Sequence, residues 1–173
     1  MKNENLKMVK VGDVEFPYEL PAGNLFRLLC AAAKVHKIDM ITANFEGRDE
    51  RGRITDIVFL GKKRFSAKKA VIELDVCDNL IGTFKVREYS EDDEEFRCRS
   101  RAKMFYIHSL VKEICLALLD SGYKSAWDDK FGSQGDIGFD LDKPSIFINY
   151  HRNAVDVKLS SWCIENTKYL NEF

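Results

Sequence analysis

Apolar residues between positions 104 and 119 recur at helical spacing, and this pattern constrains the fold more than any other feature of the chain. Five of them are separated by three or four residues: Met104, Ile107, Val111, Ile114 and Leu118. His108, Cys115 and Leu119 widen the stripe. A stripe of this width predicts a helix that lies across a sheet or in a core, because its apolar side must be covered. We expect Ser100 to cap this helix and Gly122 to end it.

Alternating residues at the start of the chain predict a hairpin that is followed by another helix. Residues 8–18 alternate on both sides of a Gly12-Asp13 turn. Apolar residues then recur at helical spacing over 25–37, and Asn24 stands where it could cap this first helix.

Further strands are predicted wherever short alternating runs are bounded by turn signals. They cover residues 39–46, 53–60, 70–76, 80–89, 96–100, 145–150 and 154–159. The connector 47–52 has a glycine at each end and predicts a hairpin with a long loop, and a short turn at 77–79 predicts another hairpin. For 96–100 the alternative is a helix opened by the acidic cluster 90–95, since negative charge suits a helix N-terminus. The tail 161–173 is expected to form a short helix.

These patterns predict a single α+β domain over residues 1–173, with a mostly antiparallel sheet built of hairpins and two main helices packed on it. Residues 125–143 mix glycine, serine and aspartate, which predicts a polar flexible loop. The chain has no apolar run long enough to span a membrane and no apolar segment at its N-terminus. Its five cysteines are scattered and odd in number, so we expect reduced thiols and a cytoplasmic protein.

Charge is segregated along the chain, although the formal net charge is −1. Residues 47–69 contain eight basic and three acidic residues, a net charge of +5, whereas residues 120–142 contain two basic and six acidic residues, a net charge of −4. The total excludes a uniformly basic nucleic-acid coat, but the first region suits contact with an anionic surface. The acidic region could itself dock on a basic partner.

The candidate binding residues are all basic. They are Lys62, Lys63, Arg64, Lys68, Lys69, Lys85, Arg87, Arg97, Arg99 and Arg101. If 97–101 and 85–87 are paired strands, we expect them to present a ladder of five positive charges. Like charges across a ladder repel, so such a face fits an anionic partner, with Phe65, Phe96 or Tyr89 to stack on a base. The alternative is a solvated face that acids nearby neutralise.

Carboxylates at short spacing suggest a magnesium-dependent nuclease as an alternative. Glu73 and Asp75 would share a strand face, and Asp140 and Asp142 would share another. The set lacks the lysine spacing of restriction-type nucleases, and alternating charges on a solvated strand explain it more simply. We therefore predict no metal and no cofactor.

The leading functional hypothesis is a small intracellular, non-catalytic binding protein. It would act by steric or electrostatic contact with a protein or a protein–nucleic-acid complex, or with nucleic acid directly, and not with a membrane. Small charge-segregated proteins of this style are common among phage and mobile-element products that inhibit host machinery, so an inhibitor is one form of the hypothesis. The alternatives are the nuclease-like enzyme and an oligomeric scaffold protein that uses the second helix or the aromatic residues of the tail.

Overall fold

A computed structural model describes residues 7–20, 22–48, 51–62, 68–75, 79–89, 98–122, 132–152 and 160–164. The elements follow in the order β1 (Met8–Val11), β2 (Val14–Pro17), β3 (Glu19–Leu20), a 3₁₀ turn (Ala22–Asn24), α1 (Leu25–Val35), β4 (Met40–Arg48), β5 (Arg51–Lys62), β6 (Lys69–Val71), β7 (Leu80–Tyr89), β8 (Cys98–Tyr106), α2 (Ile107–Gly122), β9 (Ser133–Asp140), β10 (Ser145–Arg152) and β11 (Ser160–Ile164). The predicted α+β class, mostly antiparallel with two helices, is confirmed. Neither helix, over the residues described, is long and apolar enough to cross a membrane.

The strands form three sheets. The largest has six antiparallel strands in the order β11-β10-β9-β4-β5-β6. A three-stranded sheet has the order β3-β7-β8, in which the short β3 runs parallel to β7. The β1–β2 hairpin forms the third sheet, with its turn at Gly12-Asp13 as predicted.

Both helices lie on one face of the six-stranded sheet. The ring of Phe26 on α1 stacks on Phe139 of β9 at a centroid distance of 6.2 Å, and His108 of α2 meets Phe59 of β5 edge-on at 4.7 Å. A second part of the core joins the hairpin to the three-stranded sheet, where Phe16 packs edge-on against the buried Phe84 at 6.5 Å. Each large apolar side chain buried in this way contributes roughly 1.5–3 kcal/mol.

Helix α1 ends earlier than the apolar spacing predicts. The N–H of Lys37 donates to Lys34 and the N–H of Ile38 donates to Ala33, while Lys37 has a φ of 56°. These two bonds form a Schellman closure, which leaves no room for further helix. At the other end Asn24 occupies the predicted N-cap position, but its side chain makes no capping hydrogen bond.

Helix α2 begins at Ile107, well after the predicted cap at Ser100, because the strand before it continues to Tyr106. The N–H of Tyr106 donates to Ser109 Oγ at 2.9 Å, and Ser109 Oγ donates to the Tyr106 carbonyl at 2.8 Å. Ser109 therefore caps the N-terminus of the helix. The cap predicted from the sequence, Ser100, lies within β8 instead. The strand prediction for 96–100 is confirmed over Cys98–Ser100. The apolar stripe is buried from Ile107 to Leu119, but its predicted first residue, Met104, lies on β8 and is exposed.

The predicted β4–β5 hairpin forms, although its loop is not long, whereas the hairpin predicted around 77–79 does not form. Arg48 pairs with Arg51, so the β4–β5 connector is two residues long, and the glycines expected in its loop, Gly47 and Gly52, pair inside the ladder. The strand predicted over 70–76 is shorter in the structure, where β6 ends at Val71 and pairs with β5. Strand β7 belongs to the three-stranded sheet, so β6 and β7 are not partners.

The loop prediction for 125–143 is wrong for its second half, because β9 lies in the interior of the six-stranded sheet. Near the C-terminus β11 pairs with β10 and covers the start of the predicted tail helix, which is therefore wrong at that point. The remaining parts of these predictions, 123–131, 153–159 and 165–173, lie outside the described residues.

Candidate macromolecular contact surface

The basic and acidic regions of the chain meet at one end of the six-stranded sheet. Lys62, the last residue of β5, places Nζ 3.3 Å from Oδ2 of Asp142, in the turn after β9. This hydrogen bond and the negative charges of Asp142, Asp39 and Asp140 raise the pKa of Lys62 above its usual value. Part of the predicted basic surface is thus neutralised by the chain itself.

The rest of that basic loop is described only in part. Lys69 is the cross-strand partner of Lys62, and both Lys68 and Lys69 are exposed. The remaining residues predicted to bind or stack around this loop and before β8 lie outside the described residues: Lys63, Arg64, Phe65, Phe96 and Arg97.

The predicted five-charge ladder on β7 and β8 does not form, because the register distributes these residues over two faces. Lys85 is the partner of Ala102, whereas Arg101 is the partner of Val86. Cross-strand partners share a face and successive residues alternate, so Lys85 and Arg101 lie on opposite faces. In the same register the backbone of Arg87 pairs with that of Ser100, and the backbone of Arg99 pairs with that of Glu88.

The two faces of the β7–β8 pair have different chemistry. One face packs into the core through Phe84 and Phe105, and at its margin Lys103 forms an ion pair with Glu113 of α2. Arg101 belongs to this face and is exposed. The opposite face, which we call the outer face, carries the half-buried Lys85 and the exposed residues Leu80, Thr83, Ala102 and Met104. Met104 is 51% exposed and Leu80 is 44% exposed, which is high for such large apolar residues.

The carboxylates of the nuclease alternative are not arranged as a metal site. Glu73 and Asp75 follow β6 and are not on a strand, contrary to the prediction. Asp140 Oδ1 accepts hydrogen bonds from the N–H groups of Asp142 and Lys143, each at 3.1 Å, so it stabilises the β9–β10 turn. Over the residues that the structure describes, no group of three or more potential ligands is placed to hold a metal ion.

A polar concavity of about 300 Å³ lies on the face of the six-stranded sheet opposite the helices, next to the β-bulge after Asn44. Its polar side chains come from four strands: Asn44, Glu46, Thr55, Gln134 and His151. The Glu46 carboxylate is already bound, with Oε1 2.5 Å from Arg53. The sequence does not predict this group of side chains, because the pattern of 125–143 predicts a loop at Gln134. Only the alternation of residues 40–48 indicates that Asn44 and Glu46 share a strand face.

The thiols of Cys30 and Cys115 do not suit nucleophilic chemistry. Burial raises the pKa of Cys115 to about 12, and burial raises the pKa of Cys30 to about 11 despite the nearby Lys34. Both are free thiols that stay protonated at neutral pH, so they act as small apolar residues.

Comparisons with protein families, with curated proteins and with solved structures found no match to this chain.

Proposed function

We propose that this chain is a non-catalytic binding protein that acts by contact with a macromolecular partner, and that the three-stranded sheet β3-β7-β8 provides the contact surface. The observation that carries the proposal is the exposure of Met104 and Leu80 on the outer face, which also carries Lys85. Large apolar side chains next to a positive charge suit a partner that is anionic and partly apolar.

The charge of this sheet supports the same partner. The strands carry five basic and two acidic residues, a formal net charge of +3: Lys85, Arg87, Arg99, Arg101 and Lys103 against Glu19 and Glu88. Of these basic residues, Lys103 already has Glu113 as its ion-pair partner, just as Lys62 in the other basic region has Asp142. An excess of one charge sign accelerates association with a partner of opposite sign more than it strengthens the final complex.

The apolar residues would supply much of the affinity. Covering the exposed half of Met104 or of Leu80 contributes about 1 kcal/mol for each side chain, since complete burial contributes roughly 1.5–3 kcal/mol. A stable complex also needs hydrogen bonds and a complementary shape, so these two residues are anchors within a larger interface.

The proposal is tested with poly-glutamate as the anionic probe and with surface variants. We expect the Lys85→Ser, Arg101→Ser double variant to bind poly-glutamate about tenfold more weakly than the unaltered protein, a loss of about 1.4 kcal/mol. Lys112→Ser on α2 is the matched control, because it removes an exposed positive charge from a different surface. Equal binding by all three proteins would overturn the proposal.

A further inference from the structure

We infer that the free edge of β8 accepts an extended acidic segment of a partner protein as an added β-strand. The inference rests on the proposed function and specifies how the three-stranded sheet would bind. It depends on four properties of β8: its position in the sheet, the direction of its backbone groups, the chemistry of its two faces and its charge.

Strand β8 stands at the end of its sheet. In the described part of the chain it pairs with β7 alone, over Cys98–Tyr106. It has nine residues and contains no proline, whereas β6, at the edge of the six-stranded sheet, has three residues. A long regular edge strand is a template for pairing with another chain, because one side of its backbone keeps its donors and acceptors unused.

The position of Lys85 shows which residues of β8 face that edge. The Lys85 N–H donates to the Tyr18 carbonyl at 2.7 Å, so the backbone of Lys85 is directed towards β3 and away from β8. Lys85 and its partner Ala102 therefore form a non-hydrogen-bonded pair. In such a pair the N–H and C=O of Ala102 point away from β7, towards the free edge. By alternation, the backbone groups of Met104 do the same, while those of Arg101 and Lys103 bond to β7.

The side chains next to this edge define the added strand. Arg101 is exposed on one face, and Ala102 and Met104 are exposed on the other. A strand beside β8 would alternate in the same way, with acidic residues next to Arg101 and apolar residues next to Met104. Lys103 already has Glu113 as its partner, so Arg101 is the described cation placed to pair with an incoming carboxylate.

Charge argues against a second copy of this chain as the occupant. Two β8 edges paired with each other would bring Arg101 and Lys103 of both copies together, and like charges on adjacent strands are destabilising. An acidic partner strand would instead place negative charges next to these basic residues, and opposite charges on adjacent strands are stabilising. A nucleic acid would satisfy the charge, but it has no amide backbone to continue the hydrogen-bonded ladder.

The test uses a peptide of eight alternating glutamate and valine residues as the probe, with two N-methylated forms of it. One form carries N-methyl groups on all valines and the other carries them on all glutamates. An added strand directs only one of these two sets of N–H groups at β8, so we expect one form to lose at least tenfold in affinity while the other binds as the parent peptide does. Equal affinity of the two N-methylated forms would overturn the inference.

A protein variant tests the same edge from the other side. Ala102→Pro removes an N–H that β7 does not use, so we expect the fold to persist and the affinity for the peptide to fall at least tenfold. Ala102→Thr is the matched control, because it keeps the N–H and should bind the peptide as the unaltered protein does. If Ala102→Pro does not fold, the N-methylated peptides still decide the question.

The inference can fail separately from the proposed function. Loss of poly-glutamate binding in the Lys85→Ser, Arg101→Ser variant, with no effect of Ala102→Pro or of peptide N-methylation, would retain the contact surface and overturn the added strand. Tighter binding of a DNA duplex than of the peptide at about 0.15 M salt, insensitive to Ala102→Pro, would also overturn it in favour of nucleic acid.

Discussion

Lys85 and Ala102 face each other across β7 and β8, and the Lys85 N–H donates to Tyr18 on the opposite side of β7. This arrangement determines which amide groups of β8 remain available at the edge of the sheet. It also places Lys85 and Arg101 on opposite faces, so one flat anionic surface cannot cover both charges. A partner strand that pairs with the edge of β8 would contact Arg101. A partner that only covers the outer face would not contact Arg101, so the two kinds of partner can be distinguished.

The buried stripe of α2 leads to the first prediction. Ile114 is 4% exposed and Leu116 is 37% exposed on the same helix. We expect Ile114→Asp to lower the free energy of unfolding by about 4 kcal/mol or more, because an unpaired carboxylate would enter the core.

Leu116→Asp is the matched control, because it places the same charge on the exposed side of the helix. We expect it to cost about 1 kcal/mol or less in a urea denaturation experiment. Similar losses for the two variants would show that the buried face of α2 is wrongly assigned.

Two glycines of β9 lead to a second prediction. A Cβ atom on Gly135 would overlap the backbone carbonyl of Asn149 and would lie 2.9 Å from the buried ring of Phe45. A Cβ atom on Gly138 would overlap the ring of Phe147, which is only half-buried and can turn away. We expect Gly135→Ala to cost about 3 kcal/mol and Gly138→Ala about 1 kcal/mol, measured as the free energy of unfolding. The reverse order would contradict the placement of β9 in the interior of the sheet.

These glycines also explain why part of the fold could not be predicted from the sequence. Alternation identified the first hairpin and the strands β4, β5 and β7, and helical spacing identified both helices, because in each case the apolar residues recur on one face. In β9, Gly135 and Gly138 lie where the neighbouring strand leaves no room for a Cβ atom, through its backbone at Gly135 and through the Phe147 ring at Gly138, so the segment resembles a loop in sequence. The close approach of two strands depends on tertiary contacts, which no local sequence pattern encodes.

The candidate contact surface could also be predicted only in part from the sequence. The sequence predicted correctly that basic residues occur on β7 and on the strand after it. It predicted their faces wrongly, because the register across β7 and β8 decides which residues are partners, and the register depends on the irregularity between Leu80 and Gly82 and on the parallel pairing with β3. A shift of one residue moves every side chain to the other face.

His108 leads to a prediction about pH. Burial, together with the positive charge of Lys112, holds the pKa of His108 below its usual value of 6.5, and Asn79 Nδ2 lies 3.3 Å from His108 Nδ1. The folded protein therefore keeps His108 neutral where the unfolded chain already binds a proton. We expect the free energy of unfolding to decrease as the pH falls below about 6.5 and the unfolded chain becomes protonated.

The contribution of His108 is isolated by comparing variants at each pH. We expect His108→Gln to reduce the loss of stability between pH 7 and pH 5. Lys112→Ser should reduce the same loss in part, because it removes a positive charge that repels the protonated His108 ring. An unchanged pH dependence in His108→Gln would show that the burial of this ring does not affect stability.

Amide hydrogen exchange along β8, followed residue by residue in the free protein, tests the availability of the edge most directly. Arg101 and Lys103 bond to β7, so we predict that their N–H groups are protected, whereas the N–H groups of Ala102 and Met104 exchange rapidly. Binding of the alternating glutamate–valine peptide should then slow exchange at Ala102 and Met104. Strong protection of Ala102 and Met104 in the free protein would mean that the edge is already covered, and this result would contradict the account.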